Sequence, residues 1–458
     1  MDMRYDRQQL IPSWDQTALT ASHVVIIGAS ALGSFTALGL AALGVGNLTL
    51  IDDAPLTPEE WFGGLAAPAA SRAQALAAFL ARVNPQVKVR GMRTRLLYEA
   101  SFALIPHCRA LVETSGDPQS QAVARAYGRA KSVPVIVATG NGTRAGYRLY
   151  RPGDAECAET DCAGEAGPLP ALAVGALIQD EVRRCLLPLG EADVPAAPGL
   201  QYDLAWPARF VAGAAQGTQA VDFGGRYHAL VVGAGALGTY VALGLALRGI
   251  GRLTIVDPDR VEETNLNRQV LFYDAVGEPK ARVLAERVRQ CCPEITARGL
   301  AGRVTWRHLR EKVDILCACV DNFATRAWLN RVARARGLPL INGGTTPFEG
   351  EVEVYVPGRT ACLECAVGVS ALAAEERGRQ RCAHAPEPST VIANQLAGGW
   401  MAAEAGPALD PATWGPPLQG VLAYDAFTGR KVGVRSVRAA CDCHQASGNR
   451  QRAAGNGQ

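Results

Sequence analysis

From Val24 to Ile51 the chain carries no charged side chain, and a run of the same layout returns as HALVVGAGALG, TYVALGLALRGI and GRLTIVD from His228 onward. By length alone the first run could cross a membrane. Its glycines and its repetition read instead as strand, glycine turn, helix and strand, the near-continuously apolar elements of a parallel sheet covered on both faces. Further strands are expected at VDILCACVD and PLINGG, with the helix TRAWLNRVARARG between them, which continues a doubly wound α/β sheet. Cys317 and Cys319 alternate with apolar positions on the first of these strands and are read as core.

The glycine turn occurs twice. GASALG, Gly28–Gly33, recurs as GAGALG, Gly233–Gly238, at an offset of 205 (28 to 233). The same offset joins Asp52 to Asp257, Pro134 to Pro339, Pro152-Gly153 to Pro357-Gly358 and Cys157 to Cys362. A register held over so long a stretch marks a duplication. The expected fold is therefore two tandem Rossmann-like doubly wound α/β domains. The first is placed at 1–187, a connecting segment rich in Pro, Gly and Ala at 188–226, the second domain at 227–445, and a polar tail expected to be disordered at 446–458.

A chain of 458 residues with 48% apolar side chains can build two large cores. A net charge of +3 without a long basic block, and 6% aromatic residues, leave no nucleic-acid footprint and point to a protein or small-molecule partner. The opening MDMRYDRQQL has charges throughout and does not read as a signal peptide, so a cytoplasmic, reducing setting is expected. There, thirteen cysteines favour metal ligation and nucleophilic chemistry over disulfides.

In the second copy Gly233, Gly235 and Gly238 form G-x-G-x-x-G between a strand and a helix, and Asp257 ends the next strand. Such glycines let a backbone approach a phosphate at a helix N-terminus, and the acid can bond ribose hydroxyls. Alone this suits a dinucleotide-dependent dehydrogenase. The following segment, DPDRVEETNLNRQVLFYDAVGEPKA, adds Asp259, Asn265, Arg268, Gln269 and Lys280, cations and amides that suit a triphosphate rather than hydride transfer. Asp321, in VDNFATR at the carboxyl end of a strand, offers a hard oxygen to a magnesium ion.

GAGALG, D-P-D, NLNRQ, GEPKA, VDNFATR, CLEC and YDAFTG, in that order, resemble the ThiF and MoeB family, which includes the adenylation domains of ubiquitin-activating enzymes. The resemblance covers nearly all of 227–444. It implies that the C-terminal glycine carboxylate of a ubiquitin-like protein attacks the α-phosphate of ATP, giving an acyl-adenylate and pyrophosphate. It also implies roles: Asp257 on the ribose, Asn265, Arg268 and Lys280 on the phosphates, and Asp321 on Mg2+. At the offset of 205 the first copy has Ser30 for Gly235, Ala54 for Asp259, Glu60 for Asn265, Gly63 for Arg268, Ala75 for Lys280 and Gly116 for Asp321. It is read as the silent half of a pseudo-dimer within one chain. RYDRQQL, Arg4–Leu10, resembles the family's RYxRQ, which implies that Arg7 serves the second domain's site in cis; a plain helix-capping or surface role is the other reading.

Cys362 and Cys365 in CLEC, with Cys441 and Cys443 in CDCH, form a four-thiolate set suited to structural Zn2+, with His444 the alternative to Cys443. Cys157 and Cys162 of the first copy have no later pair. Cys382 lies in a charged segment between the two zinc pairs, at the place where thioester- or persulfide-forming relatives carry a cysteine. Arg379, Arg381 and His384 around it favour a thiolate, the alternative being a spare thiol in a mobile loop. The expected function is activation of a ubiquitin-like protein, with a thioester on Cys382 and transfer to a conjugating enzyme. The alternatives are activation of a sulfur-carrier protein for thiocarboxylate formation, and a dinucleotide-binding scaffold without catalysis.

Overall fold

Each half of the chain folds around one open sheet. The structure, a computed structural model, describes residues 3–154, 164–190, 200–204, 209–210, 222–379, 386–426 and 431–436. The first sheet holds β1 His23–Ile27, β2 Asn47–Ile51, β3 Lys88–Met92, β4 Ala110–Glu113, β5 Val135–Asn141, β6 Arg144–Tyr150 and β7 Leu200–Asp203 in the order β3-β2-β1-β4-β5-β6-β7. The second holds β8 His228–Val232, β9 Arg252–Asp257, β10 Thr296–Ala301, β11 Ile315–Ala318, β12 Leu340–Thr345, β13 Glu349–Tyr355, β14 Val421–Asp425 and β15 Lys431–Arg435 in the order β10-β9-β8-β11-β12-β13-β14-β15. In both, the first five strands of that order pair in parallel and the later ones are antiparallel. The order reverses between the first and fourth strands of each copy, and open α/β sheets bind ligands beyond the strand ends at such a point.

The apolar runs resolve as their pattern predicts. The charge-free stretch becomes β1, the helix Ala31–Leu43 and β2, with β1 and the helix almost wholly buried. Among the described residues no helix is long and apolar enough to cross a membrane. Cys317 and Cys319 are buried, as expected of core positions. The connecting segment contributes more than a tether: β7 within it adds an antiparallel edge strand to the first sheet, Tyr147 facing Leu200 and Arg144 facing Asp203.

The duplication is not in constant register. The offset of 205 holds for β1 and β8 and for β4 and β11, because Val24 faces Ala110 where Ala229 faces Ile315. Between them β3 and β10 correspond at 208 (88 to 296), since Asn47 faces Lys88 where Arg252 faces Thr296. The helices Arg72–Val83 and Lys280–Cys291 share that slip, and the Arg72 and Lys280 amides donate to the carbonyls of Ala54 and Asp259, each at 3.0 Å. The residue in the place of Lys280 is therefore Arg72, and not Ala75 as a uniform offset gives.

The halves face each other through long helices, Pro168–Leu186 and Val391–Leu409, laid against Ala31–Leu43 and Ala236–Leu247, in one core that draws residues from both copies. Small residues permit the approach: a Cβ on Gly399 would sit 3.0 Å from that of Leu172 in the other half, tighter than nearly all real Cβ contacts. A buried amide pair also crosses the interface, Gln179 Nε2 donating to Gln395 Oε1 at 3.0 Å.

Candidate nucleotide site

The turn after β8 is shaped by backbone approach. Gly233 has φ +100°, and a Cβ there would lie 2.3 Å from the carbonyl oxygen of Cys319 at the end of β11, so the position requires glycine. Gly238 lies over the Gly233 carbonyl, which a Cβ would meet at 1.9 Å. Gly235 caps the helix Ala236–Leu247 and differs from both: the first atom a Cβ would meet is Gln269 Nε2 at 4.0 Å. Two of the three glycines thus serve packing, and the middle one leaves open space over a helix N-terminus, the geometry suited to a phosphate.

Asp257, at the end of β9, fixes the turn by accepting from the amides of Ala234 at 2.6 Å and Asp259 at 2.8 Å. Burial raises its pKa, against the pull of those two amides. The Asp259 carboxylate, itself exposed, meets Lys280 Nζ at 3.3 Å, and Lys280 opens the helix Lys280–Cys291. Asn265 is held in a reciprocal cap with Glu262. Gln269 is buried, with an Oε1 that has no hydrogen-bond partner among the described residues, next to the open space at Gly235.

Arg268 is half-buried. Its Nη1 donates to Thr264 O at 2.8 Å and Asn267 Oδ1 at 2.7 Å. The N-terminal helix Asp6–Gln9 of the first half docks beside it. Arg4 Nη1 donates to Leu266 O at 3.4 Å, Arg7 Nη1 to Glu387 O at 3.3 Å, and the Arg7 carbonyl accepts from Ser389 N at 3.1 Å. The two guanidinium groups feel each other: burial first, then the Arg7 charge, pushes the Arg268 pKa down to about 10, against a weaker pull from Glu262. These hydrogen bonds of Arg7 and Arg268 go to carbonyls and an amide, none to a carboxylate. An anion placed beside the two cations would relieve that repulsion.

Asp321 lies exposed just past β11, its Oδ1 accepting from Asn322 Nδ2 at 3.4 Å. Behind it the Arg326 side chain donates from Nη2 to Val320 O at 2.7 Å and from Nη1 to Asn342 Oδ1 at 3.3 Å, and Asn342 donates to Glu353 at 2.7 Å. Sequence reasoning passed over Arg326, although it stands within the VDNFATR motif.

The first copy keeps the turn and closes the site. Gly28 has φ +89°, and Asp52 accepts from Ala29 N at 2.7 Å and Ala54 N at 2.8 Å, matching Asp257. Arg72, however, points Nη2 at Asp52 Oδ2 at 3.0 Å and Nη1 at Glu60 Oε1 and Glu165 Oε1 at 3.1 and 3.2 Å. Burial disfavours the Arg72 charge, but these three carboxylates outweigh it and raise the pKa. The cation in the lysine's place is thus committed to carboxylates of its own half, Ser30 stands where Gly235 leaves space, and Gly116 stands in the place of Asp321.

Cys362 caps the short helix Leu363–Val367, and Cys365 lies within it. Their expected zinc partners Cys441 and Cys443, with His444, lie outside the described residues, as does Cys382. Among the described residues no group of three or more His, Cys, Asp or Glu is arranged to hold a metal ion.

A family model described as "ThiF family" matches residues 5–185 and again 216–445. Among curated proteins the chain is 41% identical over 140 residues to the SAMP-activating enzyme E1 of Haloferax volcanii, covering 30% of this chain and 52% of that protein. It is 37% identical over 141 residues to the sulfur carrier protein ThiS adenylyltransferase of Escherichia coli, covering 30% and 56%. Against the NEDD8-activating enzyme E1 catalytic subunit of Arabidopsis thaliana it is 35% identical over 154 residues, covering 30% and 34%. The match thus spans about half the length of the first two relatives and a third of the last.

Proposed function

The chain belongs to the ThiF family in both of its halves, and from that premise we propose that its second half adenylates the C-terminal glycine of a ubiquitin-like or sulfur-carrier protein with ATP. The observation that carries the reading is the pairing of Arg7 with Arg268 beside an open glycine turn, two cations from different halves with no carboxylate bonded to either among the described residues. The residues fit a nucleotide. Gly235 leaves room for a phosphate, Gln269 Oε1 is a buried acceptor without a partner among the described residues, and Asp257 stands at the strand end that serves a ribose.

In the proposed reaction the glycine carboxylate oxygen attacks the α-phosphorus. The bond to the bridging oxygen breaks, and pyrophosphate leaves with the electron pair. The chain's task is to orient the phosphates and to neutralise charge that grows on the leaving group, which falls to Arg7, Arg268 and Lys280. Asn265, capped and rigid, would direct its amide to the same oxygens. Asp321 would hold Mg2+, which supplies further charge neutralisation when bound. In the finer reading Cys382 Sγ then attacks the acyl carbonyl and AMP leaves, giving a thioester for a conjugating enzyme, while Cys362, Cys365, Cys441 and Cys443 hold a structural Zn2+.

Similarity to both an E1 and a ThiS adenylyltransferase supports the shared first step and leaves the second to experiment. The test mixes the protein with a candidate carrier ending in free glycine and Mg-ATP without reductant, followed by intact mass. A thiol-sensitive adduct lost in Cys382→Ala is the expected result. Adenylate and pyrophosphate without an adduct point to the sulfur-carrier route, and neither product with any carrier overturns the adenylation reading.

A further inference from the structure

Between Arg268 and the first half lies a chain of amides whose direction is fixed at every link. Gln8 is fully buried, and its Nε2 donates to Gln16 Oε1 at 2.6 Å and to Leu43 O, at the end of the helix Ala31–Leu43, at 2.9 Å. With both N–H groups engaged in its own half, Gln8 presents Oε1 to the other half, where it accepts from Asn267 Nδ2 at 3.2 Å. Asn267 is also fully buried, and the same Nδ2 donates to Ser389 O at 3.2 Å. Its donors are thereby committed, which leaves Oδ1 as the face turned to Arg268 Nη1 at 2.7 Å.

We propose that Gln8 is a positioning residue of the nucleotide site: through Asn267 it fixes the guanidinium direction of Arg268, so the silent half supplies orientation as well as the Arg7 charge. The polarity is the argument. Reversing either carboxamide would set donor against donor at Arg268, or acceptor against acceptor at Leu43, and in a buried site each unmade bond is costly. The Arg7 carbonyl takes the amide of Ser389, whose own carbonyl takes Asn267. The short N-terminal helix therefore grips the phosphate-binding turn and the root of the helix Val391–Leu409 at one junction.

The proposal rests on the nucleotide reading above, and the experiment separates the two. Dissociation constants for Mg-ATP are measured by titration calorimetry on the full chain, on Gln8→Met, Asn267→Ala and Arg268→Ala, and on Gln8→Met combined with Arg268→Ala or with Arg7→Ala. Gln8→Met is expected to weaken Mg-ATP about tenfold, the scale of a hydrogen bond serving a charged group. It should do so again in the Arg7→Ala background, but by less than about twofold once Arg268 is gone, because its path to the nucleotide runs through that residue. Asn267→Ala should match Gln8→Met, and Asn267→Ala with and without Arg268→Ala carries the same comparison if Gln8→Met does not fold. An equal loss with and without Arg268 would assign Gln8 a general packing role and overturn the relay, as would unchanged affinity. If the wild-type protein binds no Mg-ATP, the nucleotide reading falls and takes the relay with it.

Discussion

Each half places a carboxylate at the carboxyl end of its central sheet, and the two meet opposite environments. Asp321 is exposed beyond β11, with an amide from Asn322 and the Arg326 network behind its loop. Removing a preorganised group that stabilises developing charge costs roughly 10² to 10³ in rate. Asp321→Ala is therefore expected to lower pyrophosphate exchange by at least that factor while leaving the melting temperature unchanged; retained exchange would remove Asp321 from the magnesium role. Glu113, at the end of β4, is sealed in. It accepts from the Ser115 amide at 3.0 Å and from the Ser115 hydroxyl, yet Oε2 has no partner among the described residues, and burial pushes its pKa up to about 7. A raised carboxyl pKa means the neutral form suits the fold. The associated stability is complete below the unfolded value near 4.5 and is lost as pH rises through 7. Glu113→Gln imitates the neutral acid, so its advantage over the parent in urea unfolding should grow by about 3 kcal/mol between pH 4 and pH 8, since each pH unit between the unfolded and folded pKa values is worth roughly 1.4 kcal/mol. A difference that does not change with pH would mean that Glu113 ionises in the folded chain as it does in the unfolded one, so that burial does not hold it neutral.

At the scale of elements, the N-terminal helix Asp6–Gln9 does what neither sheet can do for itself. It is anchored in its own half, Tyr5 accepting from Asn84 Nδ2 at 2.7 Å, and it presents Arg7 to the other. Arg7→Ala is expected to reduce pyrophosphate exchange about a hundredfold. Stability should move by no more than about 0.5 kcal/mol, since the lost contact is one long hydrogen bond to a carbonyl. Unchanged exchange would leave Arg7 a surface residue. This element was legible because RYDRQ carries its own motif, and the strands and their crossovers were legible because apolar runs and paired glycines have a fixed period. Other features had no local signal. β7 is four residues of LQYD among Pro, Gly and Ala, and it is a strand because β6 offers an open edge. Arg72 could not be matched to Lys280 by a uniform offset, because the first copy is three residues shorter between Ala54 and Arg72 than the second is between Asp259 and Lys280. Gln8 and Asn267 are separated by 259 positions, and only the fold reveals that they share a bond.

Over the whole molecule, the two halves are joined by buried charges as well as by apolar helices, and one of these joints ties the connecting segment into the core. Arg209 and Glu404 are both fully buried, with Nε to Oε1 at 2.6 Å, Nη2 to Oε2 at 2.8 Å, and Nη1 held by Leu204 O at 3.0 Å. Glu404 belongs to the helix Val391–Leu409, whose N-terminal root is gripped at Ser389 beside the candidate nucleotide site. Any loosening of that helix should thus be felt at Arg268. Breaking a buried pair on one side leaves an uncompensated charge, so Glu404→Ala should cost roughly 3 to 5 kcal/mol. Replacing both partners with apolar residues of similar volume, Arg209→Met with Glu404→Leu, removes both desolvation penalties and should restore most of the loss. If the bridge acts on chemistry through stability alone, pyrophosphate exchange per folded molecule should be the same in the parent and the double variant. A double variant that regains its melting temperature but not its exchange rate would show instead that the charges themselves set the geometry of the distant site.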